Sequence, residues 1–94
     1  MTDRRSFEDA VRDTVNAIPR GEISTYGEVA TEAGFPGAAR AVGNLLRATT
    51  DMPWWRVIAA NGRLVPGMEA DHARRLRAEG VPIQNGRVVM SRTR

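Results

Sequence analysis

The sequence predicts a mostly helical α/β domain with the element order of a winged helix-turn-helix. Three observations support this prediction. Apolar residues recur at helical spacing in three early segments, a glycine- and proline-rich break separates the second segment from the third, and two Asn-Gly pairs flanked by apolar residues follow. The predicted order is therefore helix, helix, break, helix and hairpin. A small α+β domain with no role in DNA binding would give a similar pattern, and this alternative stays open on the pattern alone.

The first two helices follow from apolar spacing and capping residues. The first has its apolar face at Phe7, Val11, Val15 and Ile18, with Ser6 as the predicted N-cap and Pro19-Arg20-Gly21 at its end. The second is capped by Ser24 or Thr25 and has Tyr26 in its first turn. Its apolar face consists of Val29, Ala30 and Ala33.

The break Gly34-Phe35-Pro36-Gly37 leads to a third helix from about Ala38 to Ala48. Its predicted buried stripe is Ala41, Val42, Leu45 and Leu46.

Two hairpins and a fourth helix are predicted in the second half of the chain. The first hairpin joins Val57-Ile58 to Leu64-Val65 through a type I′ turn at Asn61-Gly62. The fourth helix runs from Met68 to Glu79 and ends at Gly80 as its C′ residue. The second hairpin joins Val81-Pro82-Ile83 to Val88-Val89-Met90 around Asn85-Gly86.

Length and composition narrow the class of protein. A chain of 94 residues makes one domain, 1–94, in which we expect residues 91–94 to be a flexible basic tail. The chain has no cysteine, which excludes a disulfide, a thiolate nucleophile and a cysteine-ligated metal within it. With one histidine, no metal site and no cofactor are expected. No apolar run approaches the roughly 20 residues of a membrane span, and the first residues lead into a charged helix pattern, so we expect a cytoplasmic protein. We also expect a monomer.

The charge is distributed unevenly along the chain. Residues 1–33 carry seven acidic and four basic side chains, a balance of −3, whereas residues 34–94 carry four acidic and ten basic, a balance of +6. All fourteen basic residues are arginine. Arginine binds phosphate through paired hydrogen bonds, so this composition favours a polyanionic partner. A solvated, arginine-rich surface without a partner would have the same composition.

Three separate motifs resemble one known family. They are Ile18 to Ala30 (IPRGEISTYGEVA), Ala38 to Asn44 (AARAVGN) and Pro53 to Ile58 (PWWRVI). In order and approximate spacing they resemble the C-terminal domain of O6-alkylguanine-DNA alkyltransferases and, more closely, the non-enzymatic alkyltransferase-like proteins. The resemblance implies a winged-helix DNA-binding domain. It is weak beyond Leu64.

The resemblance also implies roles on DNA. The tyrosine matching Tyr26 lies at a backbone phosphate and helps rotate the damaged nucleotide out of the duplex, and the arginine matching Arg40 fills the vacated place. The third helix would enter the minor groove, for which Ala38, Ala39 and Gly43 keep its front narrow. Taken alone, Tyr26 could be a core aromatic residue and Arg40 an ordinary surface arginine.

The third motif carries two replacements. Trp54 stands where the transferases have their cysteine, and Trp55 stands where they have the neighbouring histidine. Indole has no basic lone pair, so neither nucleophile nor base remains. The predicted alkylguanine pocket consists of Trp54, Trp55, Arg56, Val65, Pro66, Gly67 and Met68. For Trp55, a plain core position is an equal alternative.

Three further residues have open assignments. Glu79 is a candidate for the glutamate that orients the histidine in the transferases, or else a surface carboxylate of the last helical turn. His72 is expected to face solvent from its helix. The asparagine that the transferases have after the recognition helix is missing, and Thr49 or Thr50 lies near its place.

The resulting prediction is a protein that is not an enzyme. It would bind double-stranded DNA bearing O6-alkylguanine through the minor groove and flip the damaged base into a tryptophan-lined pocket. It would then mark the lesion for nucleotide excision repair proteins and associate with the nucleoid. The alternative is a small winged-helix transcriptional regulator that binds undamaged DNA.

Overall fold

A computed structural model describes residues 4–49 and 51–89 of the chain. The elements in order are α1 (Arg4–Asn16), β1 (Ser24–Thr25), α2 (Tyr26–Glu32), α3 (Ala39–Arg47), a 3₁₀ turn (Trp54–Arg56), β2 (Val57–Ile58), α4 (Glu69–Ala78), β3 (Ile83–Gln84) and β4 (Arg87–Val88). The predicted mostly helical α/β fold is confirmed. The predictions for the 91–94 tail, Thr50 and Met90 lie outside the described residues.

The first helix starts earlier than its sequence indicates. It begins at Arg4, so the prediction of Ser6 as N-cap is wrong. Its apolar face is as expected, with Val11 and Val15 fully buried against the rest of the core.

The helix-turn-helix is formed by α2, the break and α3. A capping box starts α2: the Glu28 amide donates to Thr25 Oγ1 at 3.1 Å and the Thr25 amide donates to Glu28 Oε1 at 3.0 Å. The helix ends where Gly34 takes a φ of +94°, which lets the Phe35 amide donate back to the Ala30 carbonyl at 2.8 Å. Thr25 is therefore the cap, and the predicted break is confirmed.

The buried stripe of α3 differs from the prediction at one residue. Val42 and Leu46 are buried and Leu45 is half-buried, but Ala41 is exposed, so its assignment to the stripe is wrong. Successive helical residues are rotated by about 100°, and Ala41 is thereby turned away from the face that Val42 presents to the core.

Within residues 4–49 and 51–89, the buried core consists of two clusters that meet at β2. The first joins α1, α2 and α3 and includes Val57, whereas the second lies under α4 and the C-terminal hairpin and includes Ile58. Because adjacent strand residues point to opposite faces, these two residues each enter a different cluster. Burial on both faces makes β2 an inner segment of the fold.

The first predicted hairpin is wrong. β2 pairs in parallel with β1, in the register Ser24↔Val57 and Thr25↔Ile58, rather than with residues 64–65. The turn that follows β2 is closed by the Gly62 amide on the Ala59 carbonyl, and Asn61 does not have the positive φ that a type I′ turn requires. The chain after this turn instead approaches β4 through the bridge Arg63↔Arg87.

The second predicted hairpin is confirmed. β3 and β4 pair in antiparallel register, Ile83↔Val88, and the turn has positive φ at both Asn85 (53°) and Gly86 (75°).

The end of α4 is also as predicted. Gly80 has a φ of +86°, and the Val81 amide donates to the Leu76 carbonyl at 3.0 Å. This closure fixes Glu79, the residue before Gly80, against the first half of the chain. In residues 4–49 and 51–89, no helix is long and apolar enough to cross a bilayer.

Candidate nucleic-acid interface

The front of α3 presents one long side chain among small ones. Ala38 and Ala39 are half-buried, and Ala38 packs on the first core cluster, whereas Arg40 is exposed at the first turn. In the described part of the chain no carboxylate pairs with Arg40. Its guanidinium can therefore reach a ligand without first leaving a partner.

A small cleft of about 80 Å³ lies beside this helix. Four segments of the chain line it, through Tyr26, Gly43, Leu46, Arg47, Thr49, Trp54, Val65 and Met68. Five of the predicted site residues come together here, namely Tyr26, Gly43, Trp54, Val65 and Met68. The cleft therefore joins the start of α2 and one face of α3 to the 3₁₀ turn and the loop before α4.

The remaining predicted residues lie elsewhere. Ala38, Ala39 and Arg40 lie at the front of α3, and Pro66 and Gly67 are exposed in the loop that carries Val65 and Met68. Trp55 and Arg56 point away from the cleft, towards Glu79.

Three lining residues were absent from the predicted pocket. The sequence predicts Leu46 only as a core residue. Arg47 follows Gly43 by four positions and so shares its helix face, which is a signal that spacing could have provided. The sequence marks Thr49 only by its place after α3; in the structure its hydroxyl donates to Asp51 Oδ1 at 2.5 Å.

Gly43 and Tyr26 meet at the floor of the cleft. A Cβ atom at position 43 would lie 3.8 Å from Tyr26 Cε1, an ordinary contact. The half-buried Tyr26 packs on the first core cluster, and burial raises the pKa of its phenol, while Arg47 acts in the opposite direction. The hydroxyl therefore stays protonated at neutral pH and can donate a hydrogen bond.

Trp54 forms one wall of the cleft. Its ring meets Trp55 edge to face at 5.9 Å and His72 at 5.1 Å between centroids. The Arg75 guanidinium lies 5.5 Å from the Trp54 ring centroid and 5.0 Å from that of Trp55. The Trp54 ring is thus fixed by packing on several sides and offers an aromatic surface to the cleft.

Trp55 and Arg56 converge on Glu79 instead of on the cleft. Trp55 Nε1 donates to Glu79 Oε2 at 2.8 Å, and Arg56 donates through Nε to Oε1 at 3.0 Å and through Nη2 to Oε2 at 2.9 Å. The Gly21 amide donates to Oε1 at 3.1 Å, and Arg56 Nη1 donates to the Ile18 carbonyl at 2.9 Å. We call Trp55, Arg56 and Glu79 the Glu79 cluster; it joins α4 to the chain after α1.

The Glu79 cluster is buried and its charges are satisfied. The side chains of Glu79 and Arg56 are 5% and 15% exposed, so the alternative of a surface carboxylate at Glu79 is wrong. Hydrogen bonds from Arg56 are the main cause that lowers the pKa of Glu79 to about 2. A carboxylate held this firmly in its ionised form is a poor proton acceptor at neutral pH.

The expectation that His72 faces solvent is wrong. The side chain is fully buried under the 3₁₀ turn. The Val65 amide donates to His72 Nδ1 at 3.1 Å, so Nε2 carries the proton and donates to the Trp55 carbonyl at 2.9 Å. Burial lowers the pKa of His72, which keeps the ring neutral at pH 7. Both ring nitrogens are therefore occupied by backbone groups.

Comparison with known proteins identifies the class. Residues 6–81 match the model of the 6-O-methylguanine DNA methyltransferase DNA-binding domain. The chain therefore belongs to this family.

Two groups of relatives place the chain on the alkyltransferase-like branch of the family. The DNA base-flipping protein of Escherichia coli is 38% identical over all of this chain and 78% of the relative. Alkyltransferase-like protein 1 of Schizosaccharomyces pombe is 39% identical over 82% of this chain and 78% of that protein. A crystal structure of the latter with damaged DNA containing O6-carboxymethylguanine superposes with a TM-score of 0.82, at 37% identity, over 88% of this chain and 83% of that chain.

Proposed function

We propose that the chain binds duplex DNA containing O6-alkylguanine, rotates the damaged base out of the helix and holds it in the cleft against Trp54. One observation carries the proposal: an aromatic wall, Trp54, lines a cleft directly beside the helix that exposes Arg40. The fungal relative whose structure contains O6-carboxymethylguanine DNA has the same fold, which supports this choice of ligand.

The proposed contacts follow from this arrangement. The narrow front of α3 enters the minor groove, Arg40 occupies the place of the extruded base, and the Tyr26 hydroxyl donates to a backbone phosphate. Stacking on Trp54 contributes roughly 1–3 kcal/mol, and each methylene of the alkyl group adds about 0.8 kcal/mol when buried.

The size of the cleft predicts a movement on binding. Its volume of about 80 Å³ is below the roughly 300 Å³ of the smallest usual ligand sites, so a purine must widen it. Met68 is 44% exposed at the rim, and its unbranched side chain can change rotamer at low cost. We therefore assign Met68 as the residue that moves aside and then covers the base.

The proposed activity stops at binding. Trp54 offers no nucleophile, Trp55 commits its N–H to Glu79, and both nitrogens of His72 are occupied. The bound, unrepaired lesion would then be marked for nucleotide excision repair, with the chain acting as a monomer associated with the nucleoid.

A binding titration tests the proposal. Fluorescence anisotropy of labelled duplexes, at one fixed salt concentration, compares O6-methylguanine with guanine at the same position. Tighter binding of the O6-methylguanine duplex, with no increase in protein mass after incubation, supports the proposal. Equal affinities would favour a regulator of undamaged DNA, and a methylated protein would contradict the absence of transfer.

A further inference from the structure

His72 joins two segments that line or support the cleft. Its Nδ1 accepts from the Val65 amide at 3.1 Å, and its Nε2 donates to the Trp55 carbonyl at 2.9 Å. Its ring also packs against the ring of Trp54 at 5.1 Å between centroids. One buried side chain thus contacts both Trp54 and the backbone of Val65, which lie on the same cleft.

Each bond has a different consequence for the cleft. The bond from Val65 fixes the first residue of the loop that ends at Met68, and Val65 itself lines the cleft. The bond to Trp55 fixes the 3₁₀ turn. The Glu79 cluster and the hydrogen bond that the Arg56 amide donates to the Pro53 carbonyl also stabilise this turn. Loss of the bond between the Val65 amide and His72 Nδ1 would leave this backbone donor without a partner. The Val65 wall of the cleft would then no longer be held in place.

We infer that His72 is a positioning residue for alkylguanine recognition, acting as a neutral imidazole that sets the distance between the Trp54 wall and the Val65 wall. The inference rests on the proposed function, which it deepens by assigning what shapes the cleft. His72 does not touch the base; it acts through Val65 and Trp54.

The charged groups around His72 leave the imidazole neutral. Asp71, its neighbour on α4, favours the protonated form, but Asp71 is itself paired with Arg74 and Arg75. On the 3₁₀ turn, Arg56 is paired with Glu79, and on the loop side Glu69 accepts from the Gly67 amide. A protonated ring could not accept from Val65, so the observed pair of bonds requires the neutral form.

Two substitutions separate the hydrogen bond from the bulk of the side chain. His72→Leu fills the site but offers no acceptor, whereas His72→Asn places an amide oxygen near the position of Nδ1 and can still accept from Val65. The quantity measured is the preference ratio, the Kd for the guanine duplex divided by the Kd for the O6-methylguanine duplex. We expect His72→Leu to lower this ratio by about tenfold and His72→Asn by less than about threefold.

A control variant separates positioning from general stability. Val88→Ala removes two methyl groups from the second core cluster, to which the β4 residue Val88 belongs, without touching the residues that line the cleft. All variants are compared at a temperature well below their Tm, and Val88→Ala is expected to keep the wild-type ratio.

The outcomes distinguish the two proposals. A wild-type ratio of one overturns the proposed function and this inference together. If the wild-type ratio is well above one, the proposed function stands and three results overturn the inference alone. These are an unchanged preference ratio in His72→Leu, an equal fall of the ratio in His72→Asn and His72→Leu, and an equal fall of the ratio in Val88→Ala and His72→Leu.

Discussion

The Glu79→Gln variant tests whether the Glu79 cluster holds α4 to the first half of the chain. Glutamine keeps the shape of the side chain but removes its negative charge. The Glu79 carboxylate accepts four hydrogen bonds, one from Trp55, two from Arg56 and one from Gly21. Arg56, only 15% exposed, is left with a buried charge that has no carboxylate partner. Breaking such a pair costs about 3 kcal/mol.

That loss is large for a domain of this size. A chain of 94 residues has a stability on the order of 5–14 kcal/mol, and 3 kcal/mol corresponds to a fall in Tm of about 12–24 °C. Urea denaturation followed by circular dichroism measures the change. The control is Asp71→Asn, whose more exposed pairs with Arg74 and Arg75 are expected to contribute much less to stability, because solvent screens exposed ion pairs.

The pH dependence of the same variant provides a second check. The folded state lowers the pKa of Glu79 from 4.5 to about 2, so its stabilisation is complete above pH 4.5 and is lost as the pH falls towards 2. Glu79→Gln should therefore lose part of the wild-type dependence of stability on pH in that window. A Tm change below 4 °C, or an unaltered pH profile, would refute the account of the Glu79 cluster.

Three further predictions concern the proposed DNA-binding site. Arg40→Ala should weaken O6-methylguanine binding by roughly 1–3 kcal/mol, since it removes the side chain that replaces the base; unchanged affinity would exclude Arg40 from the site. Trp54→Cys should show almost no transfer of a radiolabelled methyl group, because Trp55 cannot activate the thiol; rapid labelling would disprove this. Gly43→Ala should raise the free energy of unfolding by about 0.5–1 kcal/mol in denaturation, because it replaces a glycine inside a helix. It should weaken lesion binding in titration, because the added Cβ narrows the cleft beside Tyr26. Equal or tighter lesion binding would contradict the proposal that the cleft holds the base.

Features set by local chemistry were predictable from the sequence. The cap at Thr25, the break after α2, the C′ glycine at position 80 and the Asn85-Gly86 turn each depend on a few adjacent residues. Such motifs form where the free backbone N–H and C=O groups at the end of a helix or strand can form hydrogen bonds with residues close in sequence.

Features set by distant contacts were not predictable. The pairing of β1 with β2 joins residues 33 positions apart, and nothing in either segment specifies the other. His72 lies in a mostly polar helix, EADHARRLRA, whose sequence does not show which face is buried. Its burial depends on the Trp55 carbonyl and the Val65 amide above it.

The motif Pro53 to Ile58 shows the limit of assigning a site from resemblance. The resemblance predicts Trp54, Trp55 and Arg56 of this motif as pocket residues, yet residues of a 3₁₀ turn are rotated by about 120° from one to the next. Trp54 therefore faces the cleft, whereas Trp55 and Arg56 face Glu79. The resemblance indicates the correct segment, but only the geometry of the turn shows which of its residues face the cleft and which face Glu79.

The fluorescence of Trp54 during binding tests directly whether the damaged base enters the cleft. In a Trp55→Phe variant, shown by circular dichroism to be folded, Trp54 is the sole tryptophan of the chain. If the damaged base stacks on Trp54, the O6-methylguanine duplex should quench its emission strongly and saturably, whereas a guanine duplex at equal occupancy should leave it nearly unchanged. Equal quenching by the two duplexes, or none by either, would contradict the claim that the alkylated base enters the cleft.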